Sequence, residues 1–183
     1  GKEARIEGLS LNGAELNVGG NVTAGLAARR VGGEVTVGIP RLAALSGVAG
    51  QPLEGDANAR ATLGGTFDRP AVNLDVVANA VKAAGLDLQR IALVGKAEGA
   101  PDDLGGDMRL TVTQPQGEVA LATAYRLAGQ KLGLTGLSLS GPSTKLGGDI
   151  DVDLASLLAS GKLTGGIGDL AALRPWPGQN LNG

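Results

Sequence analysis

Alternation is strictest in Gly147-Gly148-Asp149-Ile150-Asp151-Val152-Asp153-Leu154, where a glycine pair is followed by acidic and aliphatic residues in turn. A period of two places the aliphatic side chains on one side of a β-strand and the carboxylates on the other. Aspartates at every second position are typical of a solvent-exposed strand face. The stretch therefore predicts a strand with one apolar face and one polar face.

The same pattern recurs along the chain and predicts an all-β fold. Alternating runs follow glycine pairs at residues 21–26, 34–39 and 107–113. Further short alternating runs lie at 9–11, 16–18, 72–76, 86–88, 91–93, 118–121, 132–134, 137–139 and 163–165. Because glycine readily adopts the positive φ of tight turns, the glycine pairs are interpreted as connections between many short strands.

Helix signals are confined to three places, so we expect one or two short helices. Asp153 precedes an apolar spacing that ends at Gly161, as an N-cap precedes a helix. Pro40 and Asp169 each precede a Leu-Ala-Ala-Leu block that is long enough for a single turn. These turns are predicted to lie over an end or edge of the sheet.

The chain contains a long internal repeat. Residues 41–55 recur as residues 169–183 at an offset of 170 − 42 = 128 residues, with eight positions identical. Self-similarity at a fixed offset is typical of arrays in which each unit stacks on its neighbours. Residues 1–183 are therefore interpreted as a single repetitive β segment of a longer array. The identical positions are Leu42, Ala43, Ala44, Leu45, Gly50, Gln51, Leu53 and Gly55, with their counterparts Leu170, Ala171, Ala172, Leu173, Gly178, Gln179, Leu181 and Gly183.

Composition excludes several classes of function. Cysteine and histidine are absent, so the common zinc sites, cysteine nucleophiles and histidine-based triads are excluded. The net charge is −2 with acids and bases scattered, which argues against a nucleic-acid footprint. Aromatic residues make up only 2% while hydrophobic residues make up 43%, so the apolar surface must be aliphatic. We expect no enzymatic activity, no catalytic residue, no metal and no cofactor.

The apolar face has two interpretations on the residues alone. It could be closed by a second layer, as in any two-layered β fold, or it could remain an open groove. The scarcity of aromatic residues, the repeat and the lack of any other candidate site favour the open groove.

Several motifs resemble the TamB family of AsmA-like envelope proteins, the translocation and assembly module proteins. The resemblance covers most of the chain and rests on degenerate motifs rich in glycine and leucine. They lie at residues 63–74 (Leu63-Gly64-Gly65-Thr66-Phe67-Asp68-Arg69-Pro70-Ala71-Val72-Asn73-Leu74), 141–142, 146–153, 161–165, 169–173 and 181–183.

The resemblance implies an elongated, taco-shaped sheet with an apolar concave face. It implies a periplasmic location, with a parent protein anchored in the inner membrane and acting together with an outer-membrane barrel similar to TamA. The implied function is movement of phospholipids towards the outer membrane, with acyl chains as ligand and no nucleic acid. The predicted lining consists of Val22, Leu26, Val35, Val37, Leu74, Val76, Met108, Leu110, Val112, Val119, Leu121, Ile150, Val152 and Leu154.

Two other functions remain open on the sequence. The chain could be a chaperone-like or structural scaffold whose strand edge or groove templates the β-strands of outer-membrane or autotransporter proteins. It could also be an adhesin-like β-solenoid with a dry interior. Exposed strand edges could in addition allow end-to-end association of the fragment.

Overall fold

The computed structural model describes residues 3–83, 85–100 and 102–167. They form one open antiparallel sheet in which each strand pairs with the next along the chain. The predicted all-β, curled sheet with a short helix is confirmed. The strands are β1 (Glu3–Asn12), β2 (Asn17–Gly25), β3 (Arg30–Ile39), β4 (Leu53–Gly65), β5 (Pro70–Ala83), β6 (Leu86–Ala100), β7 (Asp103–Gln114), β8 (Gly117–Ala128), β9 (Lys131–Gly141), β10 (Thr144–Asp153) and β11 (Leu158–Ile167).

The first copy of the repeated block forms the predicted helical turn. A 3-10 turn (Leu42–Leu45) continues into α1 (Ser46–Ala49), and Gly50 ends α1 in the left-handed conformation at φ 68°. The backbone N–H of Leu53 donates to Ser46 Oγ at 2.9 Å, which ties the turn to the start of β4. No described helix is long and apolar enough to cross a membrane. The second copy, residues 169–183, lies outside the described residues.

The helix predicted after Asp153 is wrong. Residues 154–157 form a turn, and β11 begins at Leu158 and pairs with β10 along its whole length. Asp153 does accept from the backbone N–H groups of Ala155 and Ser156, both at 3.0 Å, as an N-cap would. Nucleation of a short helix is unfavourable, whereas a hairpin forms backbone hydrogen bonds along the whole length of β10 and β11. The capping aspartate therefore initiates a turn rather than a helix.

Replacing Asp153 with asparagine is expected to lower the melting temperature at neutral pH. The hydrogen bonds from Ser156 lower the pKa of Asp153 below its usual value near 3.8. A lowered folded-state pKa stabilises the fold above the unfolded value, and this stabilisation is lost as the pH falls through the folded value. Melting curves should therefore differ at pH 7 and converge once the pH has fallen below the lowered folded-state pKa of Asp153. Asp151→Asn, which removes a charge from the same strand, is the control; identical behaviour of both variants would contradict the turn's role.

The interpretation of glycine pairs as turns between strands is also wrong. Gly19-Gly20, Gly32-Gly33, Gly105-Gly106 and Gly147-Gly148 lie within β2, β3, β7 and β10, so the strands are 9–15 residues long. A Cβ added to Gly148 would overlap the carbonyl oxygen of Lys162 on the next strand. Glycine is therefore required where neighbouring backbones approach too closely for a side chain.

Bulges keep the aliphatic residues of two strands on one side of the sheet. In β9 the leucines lie at even positions (132, 134) before Gly136 and at odd positions (137, 139) after it; the φ of Gly136 is 61°. The register shifts by one residue there against both neighbouring strands. The backbone N–H of Gly136 donates to Asp149 Oδ1 at 2.8 Å. Asp149, predicted only as part of a solvated face, thus stabilises the bulge.

The offset of 128 residues also relates whole strands. β1, β2 and β3 correspond to β9, β10 and β11, because 3 + 128 = 131 and 30 + 128 = 158 are the first residues of β9 and β11. The bulge glycine Gly8, at φ 66°, corresponds to Gly136. Arg29 and Leu157, at φ 50° and 55°, occupy the same position in equivalent turns. The structural repeat therefore comprises the eight strands β1–β8 before it begins again at β9.

Candidate hydrophobic binding surface

One unbroken line of aliphatic side chains crosses the sheet at right angles to the strands. Directly opposite residues of an antiparallel pair lie on the same side, so the register identifies which side chains are neighbours. We call this line the aliphatic row; it begins on β1 and reaches β10, where its last member is paired with Gly165 of β11. Its members are Leu11, Val18, Val37, Ala59, Val76, Leu93, Leu110, Leu121, Leu139 and Leu146.

Three further rows on the same side complete the surface that we call the apolar face. None of their members is charged. They are Leu9, Gly20, Val35, Ala61, Leu74, Gly95, Met108, Thr123, Leu137, Gly148 and Leu163; Ile6, Val22, Gly33, Leu63, Val72, Ala97, Gly106, Tyr125, Leu134, Ile150 and Gly161; and Ile39, Ala57, Ala78, Ile91, Val112 and Val119. Val152 lies on the same side at the end of β10, opposite Leu132 and Ala159.

The structure places most of the predicted lining residues together on this face. Only Leu26 and Leu154 lie elsewhere, exposed in the equivalent turns that follow β2 and β10. The prediction missed members of the aliphatic row such as Leu93, Leu139 and Leu146. The runs that contain Leu93 and Leu139 were recognised as alternating in the sequence, but only the register shows which side each run presents.

No second layer covers the apolar face within the described part of the chain. Substantial contacts between elements join consecutive strands, the 3-10 turn to β4, and the 3-10 turn to α1. Among the described residues, only two apolar side chains are buried: Leu42, which is 8% exposed, and Val81, which is 7% exposed. Both lie at the end of the sheet next to the 3-10 turn. The aliphatic side chains of the central strands are half-buried by their neighbours in the same face.

Two hydroxyl groups on the apolar face are engaged by the backbone. Thr123 Oγ1 lies 3.0 Å from the carbonyl oxygen of Ala124 and 3.2 Å from that of Thr135, next to the β9 bulge. Tyr125 reaches across Gly106 and donates from its hydroxyl to the carbonyl oxygen of Lys96 at 2.9 Å. Burial raises the pKa of Tyr125, so the hydroxyl remains a donor at neutral pH. The face therefore offers no free polar group at these positions.

Replacing Tyr125 with phenylalanine is expected to destabilise the sheet by about 1 kcal/mol, because the carbonyl of Lys96 loses its donor. Urea unfolding of both proteins would measure the difference. Thr164→Val is the control, since its exposed hydroxyl donates to Gly147 at the longer distance of 3.4 Å and should contribute less. Equal losses in the two variants would contradict a specific role for the tyrosine.

Ion pairs on the opposite, polar face join neighbouring strands. The guanidinium of Arg126 contacts both carboxylate oxygens of Asp103, at 2.9 and 2.8 Å, and this hydrogen bonding lowers the pKa of Asp103. Arg60 pairs with Glu34 across β3 and β4. Exposed pairs of this kind contribute only about 0.2–1 kcal/mol each. They place charged groups on this side of the sheet, in contact with water.

The polar face also carries a shallow groove of about 970 Å³. Its lining includes cations and anions together, among them Lys96, Glu98, Asp103, Asp107 and Arg126. Within residues 3–83, 85–100 and 102–167, no three His, Cys, Asp or Glu residues are grouped so that they could hold a metal ion. The apolar face is therefore the candidate site on which a function can be argued.

In the part of the chain that the structure describes, fold and surface together define a single-layered antiparallel sheet with an uncovered, uncharged apolar face. Comparisons with protein-family models, with curated proteins and with solved structures found no match.

Proposed function

We propose that the chain is a hydrophobic-groove segment of a periplasm-spanning bridge that moves phospholipids between the inner and outer membranes. The observation that carries the proposal is the unbroken aliphatic row within a face that has no charged member. A structural core would need a facing layer, and the described residues supply none. The ligand that fits a long, featureless aliphatic surface is the acyl chain of a lipid.

The energetics of lipid transfer support a continuous surface. A phospholipid that crosses water exposes roughly 30 methylenes, which cost about 24 kcal/mol at about 0.8 kcal/mol each. Contact with aliphatic side chains removes much of this cost without recognition of a particular lipid. Because the apolar face offers few polar contacts, it should bind many acyl chains weakly rather than one lipid tightly.

The length of the row supports transfer from strand to strand. The row crosses the ten strands β1 to β10 with 10 − 1 = 9 spacings, and at about 4.8 Å each it extends about 43 Å across the strands. One leaflet of a bilayer is about 15 Å of hydrocarbon. An acyl chain lying along the row would thus contact several strands at once and could advance without leaving the surface.

The setting of this activity is the part of the proposal that rests on the resemblance. In that setting the parent protein is anchored in the inner membrane, the sheet lies in the periplasm, and an outer-membrane barrel similar to TamA receives the far end. A second candidate, templating of outer-membrane strands, is favoured by β11, an edge strand of the described sheet on which Leu158 and Leu163 are exposed.

Photo-crosslinking at neighbouring positions distinguishes these functions. A photoreactive residue at Val152 lies on the apolar side of β10, and one at Asp151 lies on the polar side. Lipid transport predicts phospholipid adducts at Val152 and few at Asp151, in protein recovered from a Gram-negative envelope. Equal labelling at both positions would contradict it. Adducts with nascent outer-membrane proteins at Leu158, without lipid at Val152, would favour the templating function.

A further inference from the structure

We infer that the outer edge of β1 binds a further antiparallel strand of the same kind as β8. The argument starts from the structural repeat, in which β1 corresponds to β9 at an offset of 128 residues. β9 has two neighbours, β10 and β8, whereas β1 has only β2 within the described sheet. The edge of β1 is therefore the equivalent of an interface that the same chain already forms.

Exposure of equivalent side chains supports the missing neighbour. Ile6, Leu9 and Leu11 are 61%, 44% and 58% exposed. Their equivalents in β9 are the leucines at 134, 137 and 139, which are all half-buried. The side chains are similar and lie in the same rows, so the difference arises because β9 has a strand on each side. A strand added to β1 would extend all three rows.

The bulge in β1 does not protect its edge. Bulges often disrupt a free edge and so prevent pairing. The bulge at Gly8 has its equivalent at Gly136, however, and β8 pairs with β9 on both sides of that glycine by shifting its register between Ala122 and Ala124. A β8-type strand is thus already matched to this irregularity.

The equivalence specifies the register of the added strand. β8 places Leu121 opposite Leu139 and Ala122 opposite Ser138, which correspond to Leu11 and Ser10 of β1. One substitution is needed, because Arg126 of β8 would lie opposite Arg5. Arg5 already pairs with Glu7 at 3.6 Å. Because like charges in directly opposite positions are destabilising, the fitting strand carries no cation opposite Arg5.

The probe is a synthetic peptide of residues 117–128 that carries Arg126→Glu. The chain contains no cysteine, so one cysteine in the protein and one in the peptide report register by disulfide formation. Matched pairs are Leu11→Cys with Leu121→Cys and Ser10→Cys with Ala122→Cys; crossed pairs exchange the peptides. Hydrogen-bonded and non-hydrogen-bonded pairs alternate along an antiparallel ladder, so one of these two adjacent matched pairs is non-hydrogen-bonded. Its two Cα atoms are closer together, and a disulfide can form there.

The same pairs placed within one chain provide the reference. The double variants Leu121→Cys/Leu139→Cys and Ala122→Cys/Ser138→Cys identify which pair type forms a disulfide and how completely. At the pair position where the reference disulfide forms, the matched peptide should form at least about tenfold more disulfide with β1 than the crossed peptide. The reason is that a shift of one residue moves every side chain to the other face. Equal coupling of matched and crossed peptides, or no coupling where the reference pair couples, would overturn the inference. Neither result depends on whether the apolar face carries lipid.

Discussion

Leu110→Asp is expected to reduce phospholipid labelling at a photoreactive residue placed at the neighbouring Leu93 on the order of 100-fold. Leu110 lies at the centre of the aliphatic row, between Leu93 and Leu121. An aspartate within hydrocarbon costs about 2.5–3.5 kcal/mol, and each 1.4 kcal/mol is about a factor of ten in affinity. Mass spectrometry of the lipid adducts at position 93, normalised to protein, would measure the loss.

The matched control is Thr111→Asp, which adds the same charge to the next residue. Thr111 lies opposite Ala92 and Ala120 on the polar face, so its carboxylate would remain in contact with water. Lipid labelling at position 93 should stay close to that seen without the added charge, and circular dichroism should verify that both variants retain their β content. An equal loss in both variants, or no loss at Leu110, would contradict the assignment of the apolar face as a lipid surface.

Gly106→Ala is expected to destabilise the sheet by about 3 kcal/mol or more, because an added Cβ has no space. It would overlap the carbonyl oxygen of Lys96 and lie 3.0 Å from the hydroxyl of Tyr125. The backbones of β6 and β7 would have to separate at this point, which would also break the hydrogen bond from Tyr125 to Lys96. Urea unfolding followed by circular dichroism would measure the change.

Gly64→Ala is the matched control for this substitution. It also lies within a strand, but nothing in the structure is within 4 Å of its added Cβ. Its effect should be small and could even be stabilising by about 0.5 kcal/mol, since alanine restricts the unfolded chain more than glycine does. Similar losses at both glycines would mean that the close approach of the strands is not what requires Gly106.

It was predictable that the aliphatic residues of one strand share a side of the sheet, because alternation is a local property. Val35 and Val37, or Leu110 and Val112, must share a face wherever their strand is placed. The alternation did not reveal which strands are neighbours, so the aliphatic row could not be assembled from the sequence. Leu93, Leu139 and Leu146 became part of it only through pairing with residues on the neighbouring strands.

The incorrect predictions share a cause. Glycine pairs and an aspartate before leucines carry the same local signals in a turn, in a strand and at a helix end. At Gly148 the deciding factor is the carbonyl of Lys162 on the next strand, and after Asp153 it is the ladder between β10 and β11. Such contacts between strands outweigh local propensity, but they cannot be recognised from the residues adjacent in sequence.

The sequence by itself determined that the chain is all-β and two-faced, and that residues 41–55 recur, because composition, period and identity need no knowledge of the fold. Only the tertiary structure decided that the repeat comprises eight strands, that bulges at Gly8 and Gly136 hold the leucines in phase, and that the aliphatic residues align across the sheet. The physical reason is that register arises from hydrogen bonds between strands, whereas alternation arises within each one.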